Sequence, residues 1–316
     1  MKWKQSSTIS FFVLGFTSAI LMILILLNLF FTSKENLTQS DQFPQGYRIV
    51  NPPLPEVLTF AGEPVPMENF EVFERIEREF IVNTYWHSAT LLSLKRASRW
   101  FPIIEPILKQ NGIPADFKFL AMIESNLENV ISPAGATGFW QFMESSARKY
   151  GLEISATVDE RYHVEKSTQA ACEYLRDAYN MFGNWTVAAA SYNMGTNGMA
   201  NQITRQGTKS YYNLVLNAET SRFIARIISM KYIYSTPENY GFDLKEDQLY
   251  KPLDFYEISI DSSVSDLVSF AAYHGINYKI LKLYNPWLRD NKLTAAYGKT
   301  YKIKIPVKGS IVPVEE

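Results

Sequence analysis

Glu124 ends the run Ile113-Pro-Ala-Asp-Phe-Lys-Phe-Leu-Ala-Met-Ile-Glu-Ser125. Phe117, Leu120, Ala121 and Glu124 fall at i, i+3, i+4 and i+7, the apolar stripe of an amphipathic helix with a carboxyl in its last place. Pro114 suits the first helical turn, where a missing N–H costs nothing. A carboxyl on a buried face is penalised as the anion, so its pKa rises. An acid that keeps its proton near neutral pH can hand it to a glycosidic oxygen. Taken alone, Glu124 reads more simply as a helix-end acid turned to solvent. The clusters that follow it reverse that reading.

In Ser132-Pro-Ala-Gly-Ala-Thr-Gly-Phe-Trp-Gln-Phe-Met143, Gly135 and Gly138 allow tight turns and a close approach to a ligand. Gln141, expected on the next helix, carries an amide able to read sugar hydroxyls or an acetamido group. Phe139, Trp140, Phe142 and Met143 surround it, and Trp140 and Phe142 by themselves read as core. In Ala188-Ala-Ala-Ser-Tyr-Asn-Met-Gly195, small residues permit close helix packing and leave Tyr192 and Asn193 as polar groups at a helix end. Cys172 is the only cysteine, which excludes an intramolecular disulfide, and it reads as a small core residue. His87, His163 and His274 lack a metal-ligand spacing, so neither metal nor cofactor is expected.

These groups need helices to hold them. From about residue 70 to 236 helical patterning dominates. Helices are expected within 71–99, then over 101–111, the Glu124 helix, 139–150, 168–182, 185–193 and 219–235, most of them stopped by glycine or proline. After Tyr240 the pattern becomes strand (255–260), helix (264–273), helix (278–284) and strand (301–305), a small separate α+β (βααβ) module. Residues 35–70 are polar and dotted with proline, as in an extended spacer. Ile9 to Phe31 is nearly unbroken apolar sequence, which as a helix spans roughly 35 Å against a hydrocarbon core of about 30 Å. Lys2 and Lys4 precede it, which predicts one N-terminal transmembrane helix with the remainder carried across the membrane. A cleaved signal peptide is the alternative, with an unusually long apolar core. Composition fits a globular body, with 47% hydrophobic and 20% charged residues and a net charge of −1. No basic run interleaves with aromatics, which argues against nucleic acid as a partner.

Glu124-Ser125, then Gly135-Ala-x-Gly138-x-x-Gln141-Phe-Met143, then Tyr192-Asn193-x-Gly195, in this order and spacing, resemble the lytic murein transglycosylases, most closely the membrane-bound type D group. Ala97 to Ile113, and Asp159-Glu-Arg161 with Lys166-Ser167 and Ala170-Ala171, look like that group as well. The resemblance covers about residues 70–236. It implies a mainly α protein with a goose-type lysozyme-like catalytic domain over 71–240, behind a membrane segment (1–34) and the spacer. Residues 254–307 look like a LysM peptidoglycan-binding module, though Asp261-Ser-Ser263 replaces its usual glycine-containing turn.

Carried over residue by residue, the resemblance implies that Glu124 is the general acid and then the general base. Ser125 and Gln141 help position substrate or the reacting carboxyl, and Met143 lines the sugar groove. Tyr192 and Asn193 sit beside the acid and contact the acetamido-bearing sugar. The run Glu219-Thr-Ser-Arg-Phe223 departs from the family motif, which usually ends in tyrosine. The implied reaction is cleavage of the β-1,4 bond between N-acetylmuramic acid and N-acetylglucosamine, leaving 1,6-anhydro ends. One carboxyl suffices because the substrate supplies the nucleophile, unlike the usual two-carboxylate scheme. The implied partners are peptidoglycan strands and, through the N-terminal helix, the inner membrane, with the catalytic domain in the periplasm of a bacterial envelope. A hydrolytic lysozyme using Asp159 or Glu160 as a second acid is one rival. A non-catalytic wall-binding protein is another.

Overall fold

The computed structural model describes residues 22–23 and 49–310. Except for those two residues, the apolar run 9–31 lies outside this range. Among the described residues no helix is long and apolar enough to cross a membrane.

The body begins earlier than the sequence pattern predicts. Residues 58–65, expected within an extended spacer, form a two-stranded hairpin, β1 (Thr59–Phe60) and β2 (Glu63–Pro64). Leu58, Phe60 and Val65 are buried, and Phe60 meets Phe117 edge-on at 5.2 Å. The Ala61 N–H donates to Asp116 Oδ2 at 2.7 Å. Scattered prolines disguise three apolar residues that pack into the core, so this part of the spacer is corrected to part of the helical body.

Eight helices follow: α1 (Phe70–Tyr85), α2 (His87–Gln110), α3 (Lys118–Ser125), α4 (Glu144–Lys149), α5 (Val164–Phe182), α6 (Trp185–Met194), α7 (Thr196–Gln206) and α8 (Ala218–Ser235). The break expected before Phe101 is absent, and α2 continues through Pro102 and Pro106. Its buried stripe, Thr90, Leu94, Ala97, Phe101, Ile104 and Leu108, runs unbroken along both halves. Tertiary packing on that stripe outweighs the backbone hydrogen bonds the prolines remove. Helix α6 is the central element, with Thr186 to Ser191 all buried. Its alanines let α5 and α8 approach from different sides. The Glu63 carboxyl accepts the N–H groups of Trp185 and Thr186 at 2.6 and 2.9 Å, a negative charge at the N-terminus of α6. Cys172 is fully buried on α5, and burial pushes its thiol up to about 12, as expected of an inert core residue.

The C-terminal module pairs β3 (Phe255–Ile260) with β4 (Tyr301–Pro306) antiparallel, joined through α9 (Leu267–Tyr273) and α10 (Tyr278–Tyr284). The order matches the sequence pattern, but the module is not separate. Val158 and Tyr162 of the helical body lie in its hydrophobic core with Leu288, Trp287 and Tyr301. The Asp159 N–H donates to Trp287 O at 2.9 Å, and the Arg289 N–H to Thr157 O at 2.8 Å. Lys299 bridges Glu153 and Glu160 at 2.6 and 2.8 Å.

Candidate active site

Helix α3 has only eight residues, so its surroundings must hold it. Ser125 Oγ donates to Ala121 O at 3.1 Å and to Phe139 O at 2.9 Å, stitching the helix end to the glycine-bearing loop. Arg226 of α8 donates from Nη2 to Ile123 O at 2.8 Å. The chain then leaves α3 through two left-handed residues, Asn126 (φ 52°) and Leu127 (φ 56°). With Gln141 (φ 47°), three of the four non-glycine residues with positive φ among those described fall within this short stretch. Such strain costs of order 1–3 kcal/mol per residue and persists only where the surroundings over-determine it.

Glu124 therefore sits on a short, heavily braced helix. Its side chain is mostly buried. Burial raises the carboxyl from its ordinary 4.5 to about 7, with Arg226 pulling it down and Glu219 pushing it up. The carboxyl is thus poised to give and retake a proton near neutral pH.

The loop after α3 is built around Gly138. Its φ is +81°, and a Cβ there would stand 2.1 Å from Arg161 O. Arg161 itself is held by Asp159 at 2.7 Å, and its Nη1 reaches Gly135 O and Phe142 O at 3.2 and 3.3 Å. Gln141 lies in this loop, not on the expected helix, which begins only at Glu144. Its Nε2 donates to Gly138 O and Val130 O at 2.7 and 3.1 Å, so both amide hydrogens hold the loop and the carbonyl remains for a ligand. Met143 at the loop's end is 44% exposed, open enough to meet a ligand. Trp140 is fully buried, with its indole N–H on Thr168 Oγ1 at 2.9 Å.

Helix α6 brings in the third cluster. Tyr192 OH donates to Trp140 O at 2.7 Å. Burial, then the Glu124 charge and Tyr174, push its phenol well above the ordinary value, which places Tyr192 within electrostatic reach of the acid. Asn193 accepts from Thr220 Oγ1 at 2.6 Å and donates to Glu219 Oε1 at 3.0 Å. Tyr192 and, through Glu219, Asn193 thus stand in the electrostatic neighbourhood of Glu124, with Ser125 at the same helix end and Gln141 and Met143 on the loop that follows.

Sequence reasoning assigned no role to Arg226 and Glu219. They stand seven apart on α8, hence on one face, and together they bias the Glu124 carboxyl in opposite senses. A basic residue amid Phe223, Ile227 and Met230 was the available signal. Phe223 itself is fully buried, so its missing hydroxyl leaves ordinary core. Asp159 and Glu160 are both committed to ion pairs, to Arg161 and to Lys166 and Lys299.

Residues 101–215 match the transglycosylase SLT domain, and residues 256–309 match the soluble lytic transglycosylase C-terminal LysM-like domain. Membrane-bound lytic murein transglycosylase D of Escherichia coli K12 is 26% identical over 262 residues, covering 80% of this chain and 56% of that protein. The chain is homologous to that transglycosylase over most of its own length. It spans little more than half the length of the E. coli homologue. A putative tributyltin chloride resistance protein of Alteromonas sp. M-1 is 26% identical over 128 residues, 40% of this chain and 62% of that one. Among solved structures, an inactive mutant of lytic transglycosylase Slt from Pseudomonas aeruginosa is 19% identical, with a TM-score of 0.37, and covers 48% of this chain and 26% of that chain. All three site clusters of the homologous chain fall inside the SLT match.

Proposed function

We propose that the chain is a peptidoglycan lytic transglycosylase, cleaving the β-1,4 bond between N-acetylmuramic acid and N-acetylglucosamine. The observation that carries this reading is a single braced, mostly buried carboxyl whose pKa lies at about 7 beside a polar Tyr-Asn corner. Protonated Glu124 gives its proton to the bridging oxygen as the bond to the anomeric carbon breaks. The muramic acetamido group supports that carbon while charge develops on it. The Glu124 carboxylate then takes the proton of the six-position hydroxyl, whose oxygen closes on the anomeric carbon. The product is a 1,6-anhydro end. No water is consumed, and the acid returns to its starting state.

Around this step, Ser125 fixes the helix end and Gln141 shapes the loop that faces the sugar. Met143 lines the groove. Tyr192 and Asn193 are the groups placed to meet the acetamido-bearing ring. A hydrolase on the same fold needs a second carboxylate to activate water. Asp159 and Glu160 are held in ion pairs at the module junction, which speaks against them in that role. The LysM-like module is read as holding the glycan strand. The apolar run 9–31 is read as the inner-membrane anchor of an envelope protein with a periplasmic catalytic domain.

The test is to incubate the full chain in detergent with purified cell-wall sacculi and weigh the fragments by mass spectrometry. Anhydro ends are expected, and Glu124→Gln abolishes their release while the protein still folds. Reducing ends in their place make the chain a hydrolase. Binding without release makes it a wall-binding protein.

A further inference from the structure

A cavity of 670 Å³ opens where the C-terminal module meets the helical body, and Glu124 is not part of its lining. That size suits a small ligand. One wall is α2 with residues 127–130, the segment that directly follows Glu124-Ser125. The facing wall is α10 with the adjoining end of the module.

The charges on these walls are not balanced. Arg96 is paired with Glu128, and Lys304 with Glu165. Arg99 on one wall, and Lys279 and Lys282 on the other, have no carboxylate within ion-pair distance among the described residues. Arg99 Nε donates to Lys251 O at 2.8 Å, with the guanidinium 5.3 Å from the Tyr250 ring centre. Lys282 Nζ donates to the carbonyls of Leu288 and Asp290. Burial, then the charge of Arg289, lowers the pKa of Lys282 although Asp290 opposes this. The whole chain has a net charge of −1, so general basicity does not explain three cations without a carboxylate partner lining one space. Like charges across a half-enclosed gap repel, and an anion between them relieves that cost. Trp100, Phe139 and Tyr284 supply flat apolar surface beside the cations.

We infer that this interdomain cavity binds a carboxylate-bearing peptide, the stem attached to the glycan strand at the Glu124 corner. The source of the peptide rests on the proposed activity. The physical claim is a peptide carboxylate held between Arg99 and the two lysines of α10. Residues 127–130 lead from the acid to this cavity, so a strand seated at Glu124 has a short path for its side branch.

The test is calorimetric titration of the full chain in detergent with a synthetic stem tetrapeptide and, separately, with a peptide-free N-acetylglucosamine tetramer. Lys279 is exposed, so Lys279→Glu leaves the fold intact. It should weaken tetrapeptide binding about fivefold or more, the equivalent of roughly 1 kcal/mol. Arg99→Gln on the opposite wall should weaken it as well, while tetramer binding is unchanged in both. Absence of tetrapeptide binding, or equal binding by wild type and both variants, overturns the inference. So does displacement of the tetrapeptide by millimolar inorganic phosphate, which makes the cavity a general anion site. Anhydro-end release is measured on the same preparation. Release without peptide binding sinks only this inference, and peptide binding without release sinks only the proposed activity.

Discussion

A carboxyl held at a pKa of about 7 is a load on the fold, and that load can be measured without any substrate. In the unfolded chain Glu124 ionises near 4.5, whereas in the folded protein it keeps its proton until about 7. Below pH 4.5 the group is neutral in both states and has no effect. Between 4.5 and 7 the native state holds the extra proton, so stability falls as pH rises. Above 7 the full cost is present. At about 1.4 kcal/mol per pKa unit, the rise comes to about 3 kcal/mol, an upper bound because the side chain is not wholly buried. Glutamine has nearly the same shape and no charge at any pH. Glu124→Gln is therefore expected to match wild type near pH 4 and to gain 1 to about 3 kcal/mol at pH 8. Urea unfolding followed by tryptophan fluorescence at the two pH values reads this as a midpoint shift at constant slope. A difference between the proteins that is the same at both pH values refutes the claim that burial sets this acid.

The glycine loop and the charges around the acid yield two further expectations. Gly138→Ala places a Cβ 2.1 Å from a backbone oxygen at a left-handed position, so it should cost more than about 3 kcal/mol, whereas Gly135→Ala, at φ +88° with open space around it, should cost about 1 kcal/mol; similar denaturation midpoints for the two would refute the close approach to Arg161. Arg226→Met removes the positive charge that lowers the Glu124 pKa, so the alkaline limb of the activity–pH profile should move up, and Glu219→Gln should move it down; limbs that stay fixed would reduce both to structural roles.

What the sequence disclosed, and what it hid, follows from the range of the interactions involved. The stripe that marks Glu124 is local, repeating within two turns, but α3 is enclosed on nearly all sides, with Phe119, Met122 and Ile123 buried as well as Leu120 and Ala121, and Glu124 is less covered than any of them. The module's strand–helix–helix–strand order was legible because its pattern is local too. A break is expected before Phe101, but a buried stripe spanning both halves holds α2 together as one helix. The hairpin was misread because Phe60 is paired with Phe117, and Thr59 with Tyr232, across long stretches of chain that no window covers. The influence of Arg226 and Glu219 on Glu124 is of that long-range kind, reaching from α8 to α3. Gln141 shows how the two ranges interact. Its side chain reads as a free amide, but the left-handed backbone of the loop folds it back onto Gly138 O. That backbone is in turn fixed by Arg161, whose carbonyl leaves no room for a Cβ at Gly138. The proposed acid is thus marked by a local pattern whose burial already predicts a raised pKa, while Arg226 and Glu219, which adjust how far it rises, come from a helix about a hundred residues on.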